Sequence, residues 1–311
     1  QYVEEVIDGL EREGIPVNTL RIDGGENTKT IEMVERIWKF MAGSRVTRRS
    51  LLLAVGGGAL LDSAGFAAAT YMRGVMSAYI PTTTLAQSDA AIGGKTGIDL
   101  AWAKNLVGVF YHPDVVIIDP LILVELPVDA YLHGFAEVVK HAAIKGGQWV
   151  SWLQSRIEGI MARDPQVLDD IVRFSVSTKI DVIKRDYVEK GVRAVLNYGH
   201  TMGHAIEVAS NYMVSHGNAV AIGLVAESLL AMETTGFPRD EAQMLIDLIR
   251  HLGLPTETTY PADTLLEAMR LDKKFLNGNP RIPLPRKLGD FTIVELGWGD
   301  IRWWLSKVTR T

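Results

Sequence analysis

Three of the seven histidines, His200, His204 and His216, fall within 17 residues and alternate with Gly199, Gly203 and Gly217. His200 and His204 stand four apart and so share one face of a helix, close enough to border one ligand-sized space. A lone histidine is more often a satisfied core or surface group, so it is the clustering that points to a metal. The chain has no cysteine, so a Zn²⁺ ion would need a carboxylate as its third ligand and could keep one position open for a substrate oxygen. Glu137, within Gly134-Phe135-Ala136-Glu137-Val138-Val139-Lys140, offers such a carboxylate, and so does Glu207. Spacing alone does not choose between them.

A second kind of chemistry is written around Val55-Gly56-Gly57-Gly58-Ala59-Leu60-Leu61-Asp62. A glycine turn between a buried strand and a helix lets a phosphate approach backbone N–H groups at the helix start. The spacing is not the G-x-G-x-x-G fingerprint, and a sharp strand-to-helix turn alone also calls for glycine. Downstream, Pro81-Thr82-Thr83-Thr84 and Asp89-Ala90-Ala91-Ile92-Gly93-Gly94-Lys95-Thr96-Gly97 collect hydroxyls, a carboxylate and a lysine that would suit a dianion. This is not a P-loop, because the first glycine of G-x-x-x-x-G-K is replaced by Asp89. Lys104-Asn105 adds donors. Lys140, Lys179, Arg193 and Lys273-Lys274 lie in helical text, where exposed lysines are the ordinary expectation. Arg193, Asn197 and His200 would converge if they shared one helix.

The elements that must carry these groups fall into two parts. Val3, Val6, Ile7 and Leu10 predict a helix, and Val17 to Ile22 a strand. A helix over Thr28 to Met41, a buried strand over Leu51 to Val55, a helix over Ala59 to Met72, and short strands at Ala78 to Ile80 and Val115 to Ile118 follow. Such alternation predicts a parallel sheet covered by helices. From Pro120 to Leu271 the text is helical, with blocks at Ala130–Ile144, Trp149–Met161, Pro165–Arg185, Thr201–Ala209 and Ala219–Thr235. A hairpin over Arg281–Leu284 and Phe291–Val294 and a Trp-rich helix over Ile301–Leu305 close the chain. The 311 residues carry a net charge of −5, which lacks the footprint of a nucleic-acid binder, and no apolar run approaches a membrane span. A soluble, cytoplasmic protein is expected, with further residues upstream of Gln1.

Taken together these blocks resemble the 3-dehydroquinate synthases of the sugar-phosphate cyclase group. The resemblance runs through Gly56-Gly57-Gly58 to Asp62, Gly65-Phe66, Ala68-Ala69-Thr70-Tyr71-Met72-Arg73-Gly74, Pro81-Thr82-Thr83, Gly93-Gly94-Lys95-Thr96-Gly97, Lys104-Asn105-Leu106 and Gly108. It continues in Ala136-Glu137-Val138-Val139-Lys140, in Leu196 to Glu207, and in His216-Gly217 and Asp272-Lys273-Lys274, with Gly25-Glu26 and Lys29 as an early match. Two departures stand out: Leu61 where many synthases have glycine, and Ser88-Asp89-Ala90-Ala91 in place of Val-Asp-Ser-Ser.

The resemblance implies a Rossmann-like parallel-sheet domain over residues 1–119 that binds NAD, its first strand lying upstream of residue 1. An all-α metal- and substrate-binding domain would follow over residues 120–311, with one Zn²⁺ or Co²⁺, in a homodimer. It implies Glu137, His200 and His216 as metal ligands, which makes His204 a substrate-side residue. Glu26, Lys29, Gly57, Gly58, Asp62, Thr82, Thr83, Asp89, Lys95 and Lys104 would serve the cofactor. Lys95, Asn105, Lys140, Lys179, Arg193, Asn197, His204 and Lys274 would grip the anionic substrate, and Arg73 its phosphate across the dimer. Lys140, Asn197, His204 and Asp89 would take part in catalysis.

The implied reaction converts 3-deoxy-D-arabino-heptulosonate 7-phosphate to 3-dehydroquinate and phosphate by transient oxidation, elimination, reduction and aldol closure. Other cyclases of the valiolone or scyllo-inosose type are the nearest alternative, and Gly93 to Gly97, Lys179 and Arg193 argue against them. A metal-dependent polyol dehydrogenase and a non-catalytic scaffold are more distant alternatives.

Overall fold

A computed structural model describes residues 2–100, 103–271 and 278–309. The chain forms two compact units, Gln1–Leu126 and Pro127–Thr311. The sequence reading draws its boundary after residue 119, and the first unit runs seven residues further, to Leu126. There Asp119 caps a 3-10 turn, Pro120–Glu125, by accepting from Leu121 N–H. The Asp119 carbonyl also accepts from Gln87 Nε2 at 2.8 Å.

In the first unit, helix α1 (Tyr2–Arg12) is followed by α2 (Ile31–Gly43), which starts where Thr30 accepts from Met33 N–H. Strand β1 (Leu51–Gly56) leads through Gly57 into α3 (Gly58–Thr70), then β2 (Met76–Pro81) and the two-residue β5 (Val115–Val116). The sheet order is β1-β2-β5, all parallel, with Leu51 opposite Met76 and Gly56 opposite Pro81. Between β2 and β5 run a π-helical turn, Ala86–Ala90, and an antiparallel pair, β3 (Lys95–Leu100) and β4 (Ala103–Phe110). Val34, Ile37 and Met41 of α2 pack with Ala67 and Ala68 of α3 to form the core.

The predicted strand over Val17 to Ile22 is not one. Its apolar residues are used, since Leu20 and Ile22 pack on that core, but no neighbouring strand among the described residues supplies a ladder. Lys95, read as part of a loop, opens β3.

Contact of α3 with the strands depends on Gly65. A Cβ there would lie 2.1 Å from Tyr79 Oη and 2.5 Å from Thr96 Cγ2. Gly65→Ala is therefore expected to lower stability by about 1–3 kcal/mol through overpacking, read as a lower urea midpoint. An unchanged midpoint would mean that the α3 contact yields freely.

The second unit is helical: α4 (Val128–His133), α5 (Phe135–Lys145), α6 (Gly147–Gln154), α7 (Ile157–Ala162), α8 (Pro165–Arg185), α9 (His200–Ala209), α10 (His216–Thr234), α11 (Arg239–His251) and α12 (Ala262–Leu271). A hairpin of β6 (Arg281–Lys287) and β7 (Asp290–Glu295) and helix α13 (Trp298–Val308) complete it. Two predicted blocks are each split in two, at Gly134 and near Arg156. Helix α8 begins as its sequence dictates, with Asp164 accepting from Gln166 and Val167 N–H ahead of Pro165. Helix α13 docks on α10 through buried Trp304, whose indole N–H donates to the Ala226 carbonyl. Among the described residues no helix is long and apolar enough to cross a membrane.

Candidate active site

Helices α9 and α10 approach closely because glycine stands at each contact. A Cβ on Gly203 would meet Ala219 backbone at 3.3 Å, and one on Gly223 would meet the Gly199 carbonyl at 1.8 Å. Gly217 likewise lets the start of α10 sit against the His133 carbonyl at the end of α4. This packing brings His200 at the head of α9 and His216 at the head of α10 beside Glu137 of α5.

The Glu137 carboxylate is wholly buried. Its Oε1 lies 3.3 Å from His200 Nε2 and 3.4 Å from His216 Nε2, while Oε2 contacts the Lys140 ammonium. Neither oxygen has a well-formed hydrogen bond among the described residues. Donor atoms bound at about 2.0–2.1 Å to a tetrahedral ion are themselves separated by about 3.3–3.4 Å. The two carboxylate–imidazole spacings match that edge, and with all three donor atoms within 4.8 Å of one another the residues fit a divalent metal.

The other imidazole nitrogens are also engaged. His200 Nδ1 donates to the Tyr198 carbonyl at 3.2 Å, and His216 Nδ1 lies 3.4 Å from Glu207 Oε2. Both rings therefore turn Nε2 toward Glu137, as ligating histidines do when a carbonyl or carboxylate holds the opposite nitrogen. This separates the two carboxylates that spacing left equal: Glu137 faces the donor atoms, and Glu207 stands behind His216.

Burial alone would raise the Glu137 carboxyl, yet the Lys140 ammonium and the His200 and His216 imidazoles hold it well below the usual carboxylate range. Burial, with Lys140 adding to it, pushes His200 down to about 4 against the pull of Glu137. Burial also lowers His216, but Glu137 and Glu207 outweigh it and push that ring up to about 10.

His204 borders the cluster, its ring centre 5.5 Å from that of His200 and 6.4 Å from that of His216. Lys140, Lys179 and Arg193 are buried cations of this unit. Arg193 and Asn197 sit on a 3-10 turn, Val192–Asn197, that ends before α9, so they do not share a helix with His200 as the spacing suggested. The break comes at Gly199, whose φ of +81° is left-handed. Arg193 Nη1 donates to the Tyr187 carbonyl and Asn197 Nδ2 to Glu189. Lys274 lies outside the described residues.

The first unit builds a separate charged cluster. Buried Lys29 donates to Asp62 Oδ2 at 2.9 Å and to Asn105 Oδ1, and Lys104 pairs with Glu26 at 3.2 Å. Burial opposes the charge on Lys29, but Asp62, Glu26 and Asp99 hold the ammonium above the usual lysine range. Asn105, assigned by resemblance to the substrate, therefore shares the Lys29 ammonium with Asp62. Gly57 and Gly58 abut Thr83 and Ala90 so closely that a Cβ would come within 3.3 and 3.0 Å. The Thr82 N–H extends the sheet ladder to the Gly56 carbonyl, and Asp89 lies in the π-helical turn. Lys95 and Arg73 are exposed.

A parallel-sheet unit with a glycine turn, followed by a helical unit holding a carboxylate and two imidazoles, is a plan this chain shares with sugar-phosphate cyclases of solved structure. The structure superposes on 2-epi-5-epi-valiolone synthase from Streptomyces hygroscopicus, solved with NAD⁺ and Zn²⁺ bound, with a TM-score of 0.91 and 28% identity, covering 99% of this chain and 87% of that one. It also matches a 2-deoxy-scyllo-inosose synthase complexed with carbaglucose-6-phosphate, NAD⁺ and Co²⁺, with a TM-score of 0.88 and 28% identity, covering 97% and 86% of the two chains. Within that class, residues 19–133 match the model of the 3-dehydroquinate synthase N-terminal domain and residues 134–275 that of the C-terminal domain. The 3-dehydroquinate synthase of a Picosynechococcus species is 40% identical over 96% of this chain and 84% of its own length. The chain belongs to the 3-dehydroquinate synthase family and is an enzyme of that family.

One residue that sequence reasoning passed over is Glu227, buried within α10. Its signal was a single carboxylate in the otherwise small and apolar stretch from Ala219 to Ala231.

Proposed function

We propose that this chain converts 3-deoxy-D-arabino-heptulosonate 7-phosphate to 3-dehydroquinate and phosphate, its first unit holding NAD and its second a divalent ion, Zn²⁺ or Co²⁺. The observation that carries this reading is the convergence of Glu137, His200 and His216 on one ion-sized space in a chain of this family. When bound, NAD supplies a transient oxidation that acidifies the C–H beside the leaving phosphate, and the ion supplies Lewis-acid stabilisation of the oxygen being oxidised.

The chain's own residues do the rest. Gly57 and Gly58 would turn the backbone N–H groups at the start of α3 toward a pyrophosphate, and Asp62, Lys29, Glu26, Lys104, Thr82 and Thr83 would complete the nucleotide side. Lys140, Lys179, Arg193 and Asn197, with Asn105, Lys95, Arg73 and Lys274, orient the substrate carboxylate and phosphate. Cations buried in a low-dielectric site grip anions far better than the same groups in water. His204 and Asp89 hold or move protons at the reacting carbons and their hydroxyls. Much of the acceleration is positioning, since elimination and ring closure are intramolecular once the substrate is held. The protein would act in the cytoplasm as a homodimer, on a small anionic sugar phosphate and not on nucleic acid or membrane.

The likeness to the valiolone and inosose synthases favours a second reading, in which an uncarboxylated sugar phosphate is cyclised. One assay separates the readings: phosphate release by the metal-loaded protein with catalytic NAD⁺, followed together with NADH absorbance. Stoichiometric phosphate from the heptulosonate with no lasting NADH is the expected result. Phosphate only from an uncarboxylated sugar phosphate, heptulose or hexose, would support the second reading, and accumulating NADH without phosphate would leave a dehydrogenase.

A further inference from the structure

Glu227 is wholly buried in the middle of α10, and the reaction proposed above gives it no part. Its Oε2 accepts from Gly199 N–H at 2.7 Å, and its Oε1 accepts from Thr201 N–H at 2.9 Å and Met202 N–H at 3.1 Å. These are donors of the first turn of α9, which a helix cannot satisfy internally. Most helices meet that need with a Ser, Thr, Asp or Asn at the N-cap. Here the N-cap is Gly199, at φ +81°, and a Cβ would come within 2.8 Å of the Leu224 side chain. A local cap is therefore sterically excluded, and the acceptor comes from the neighbouring helix. A negative charge at that end also complements the dipole of α9.

The bond to Gly199 reaches further than the cap. The peptide joining Tyr198 to Gly199 is a rigid plane, with its N–H and C=O pointing in opposite directions. Holding its N–H on Glu227 therefore aims its carbonyl, and that carbonyl accepts from His200 Nδ1 at 3.2 Å. The same bond leaves His200 Nε2 as the nitrogen facing Glu137 Oε1 at 3.3 Å. Carboxylate, peptide plane and imidazole form one continuous chain.

We infer that Glu227 is a positioning residue of the metal site, fixing the ring orientation and tautomer of His200 through the Tyr198–Gly199 peptide. The inference rests on the metal reading above and adds to it a residue that touches neither ion nor substrate. Removing a partner that orients a ligand in this way typically costs 10–100-fold in metal affinity.

The test is Zn²⁺ affinity of the full chain, measured by competition with a chromophoric chelator, for E227Q and E227D. Glu227→Gln turns one accepting oxygen into a donor aimed at backbone N–H groups, and Glu227→Asp keeps the charge but draws it back by one methylene. The expected result is a rise in Zn²⁺ Kd of about 10–100-fold in each folded variant, with an altered visible spectrum of the Co²⁺ form. Wild-type affinity and an unchanged Co²⁺ spectrum in either folded variant, even one with a lowered melting temperature, would overturn the inference and leave Glu227 a helix cap. Failure of both variants to fold would overturn it too, assigning the carboxylate to fold stability. Failure of the unsubstituted chain to bind Zn²⁺ would instead remove the metal reading on which it rests.

Discussion

Replacing Glu137 is expected to remove two things at once. The first is the oxygen to which His200 Nε2 and His216 Nε2 both turn. With it should go most of the affinity for a divalent ion, a loss above the roughly hundredfold ceiling for residues that only orient a ligand. Lewis-acid stabilisation contributes several kcal/mol, and each 1.36 kcal/mol is a factor of ten in rate. Phosphate release should therefore fall by roughly a thousandfold or more. The second loss is the carboxylate partner of Lys140, whose side chain is 2% exposed. Breaking a buried ion pair from one side costs about 3–5 kcal/mol, so Glu137→Ala should also unfold at lower urea. Glu137→Gln keeps the volume and removes the charge, which makes it the cleaner probe of turnover. Measured zinc content, phosphate release and urea midpoint together check the result. A Glu137→Gln enzyme that retains both zinc and turnover would sink the assignment.

Gly223→Ala should produce the largest effect that involves no chemical group. The added methyl would lie 1.8 Å from the Gly199 oxygen, 2.8 Å from its carbonyl carbon and 3.0 Å from the Gly203 nitrogen. All three are backbone atoms, so no side chain can swing aside, and α9 must move away from α10. We expect a loss at or above the ~3 kcal/mol upper end of ordinary overpacking. Reduced zinc binding should accompany it, because His200 and His216 are carried by the two helices that separate. Gly203→Ala is the matched control. Its Cβ would sit 3.3 Å from Ala219 and Val220 backbone, a contact that a small shift relieves. Melting temperatures of the two variants should fall in that order, and equal values would show that the helices are not held at the distance described.

Where a local pattern determines an element, the sequence was readable. The strand, glycine turn and helix over residues 51–70, the capped start of α8 at Asp164-Pro165, and the paired strands near the C-terminus are of this kind. The β3–β4 pair was missed because its glycines read as a loop. Gly97 and Gly108 stand opposite each other, and a Cβ on Gly97 would meet the Val107 carbonyl at 2.6 Å, so glycine there permits close strands and does not interrupt them. Val17 to Ile22 shows the reverse error: an apolar stretch marks burial, whereas a strand also needs a partner.

In the site, histidine spacing exposed the cluster but could not separate Glu137 from Glu207. That choice depends on which imidazole nitrogen each carboxylate meets, a property of side-chain direction and not of separation along the chain. The convergence expected of Arg193, Asn197 and His200 assumed one helix, and the left-handed Gly199 divides it. Glu227 was hidden for a related reason, since its partners are backbone N–H groups, which have no letter in a sequence.

The parallel pairing of β1 with β2, unbroken from Leu51↔Met76 to Gly56↔Pro81, bears on how this chain tolerates changes of length. Both strands deliver the turns that the resemblance assigns to the cofactor, Gly57-Gly58 and Thr82-Thr83, at the same carboxyl edge, the edge where open α/β sheets place ligands. An insertion in the connection between α3 and β2 leaves the two turns side by side, because the ladder realigns them. One extra residue inside either strand carries its turn about 3.3 Å past the other and reverses which side chains face the core. Drift in length is therefore absorbed by the connections and refused by the strands, so the spacing between the two turns is held by backbone hydrogen bonds rather than by any side chain.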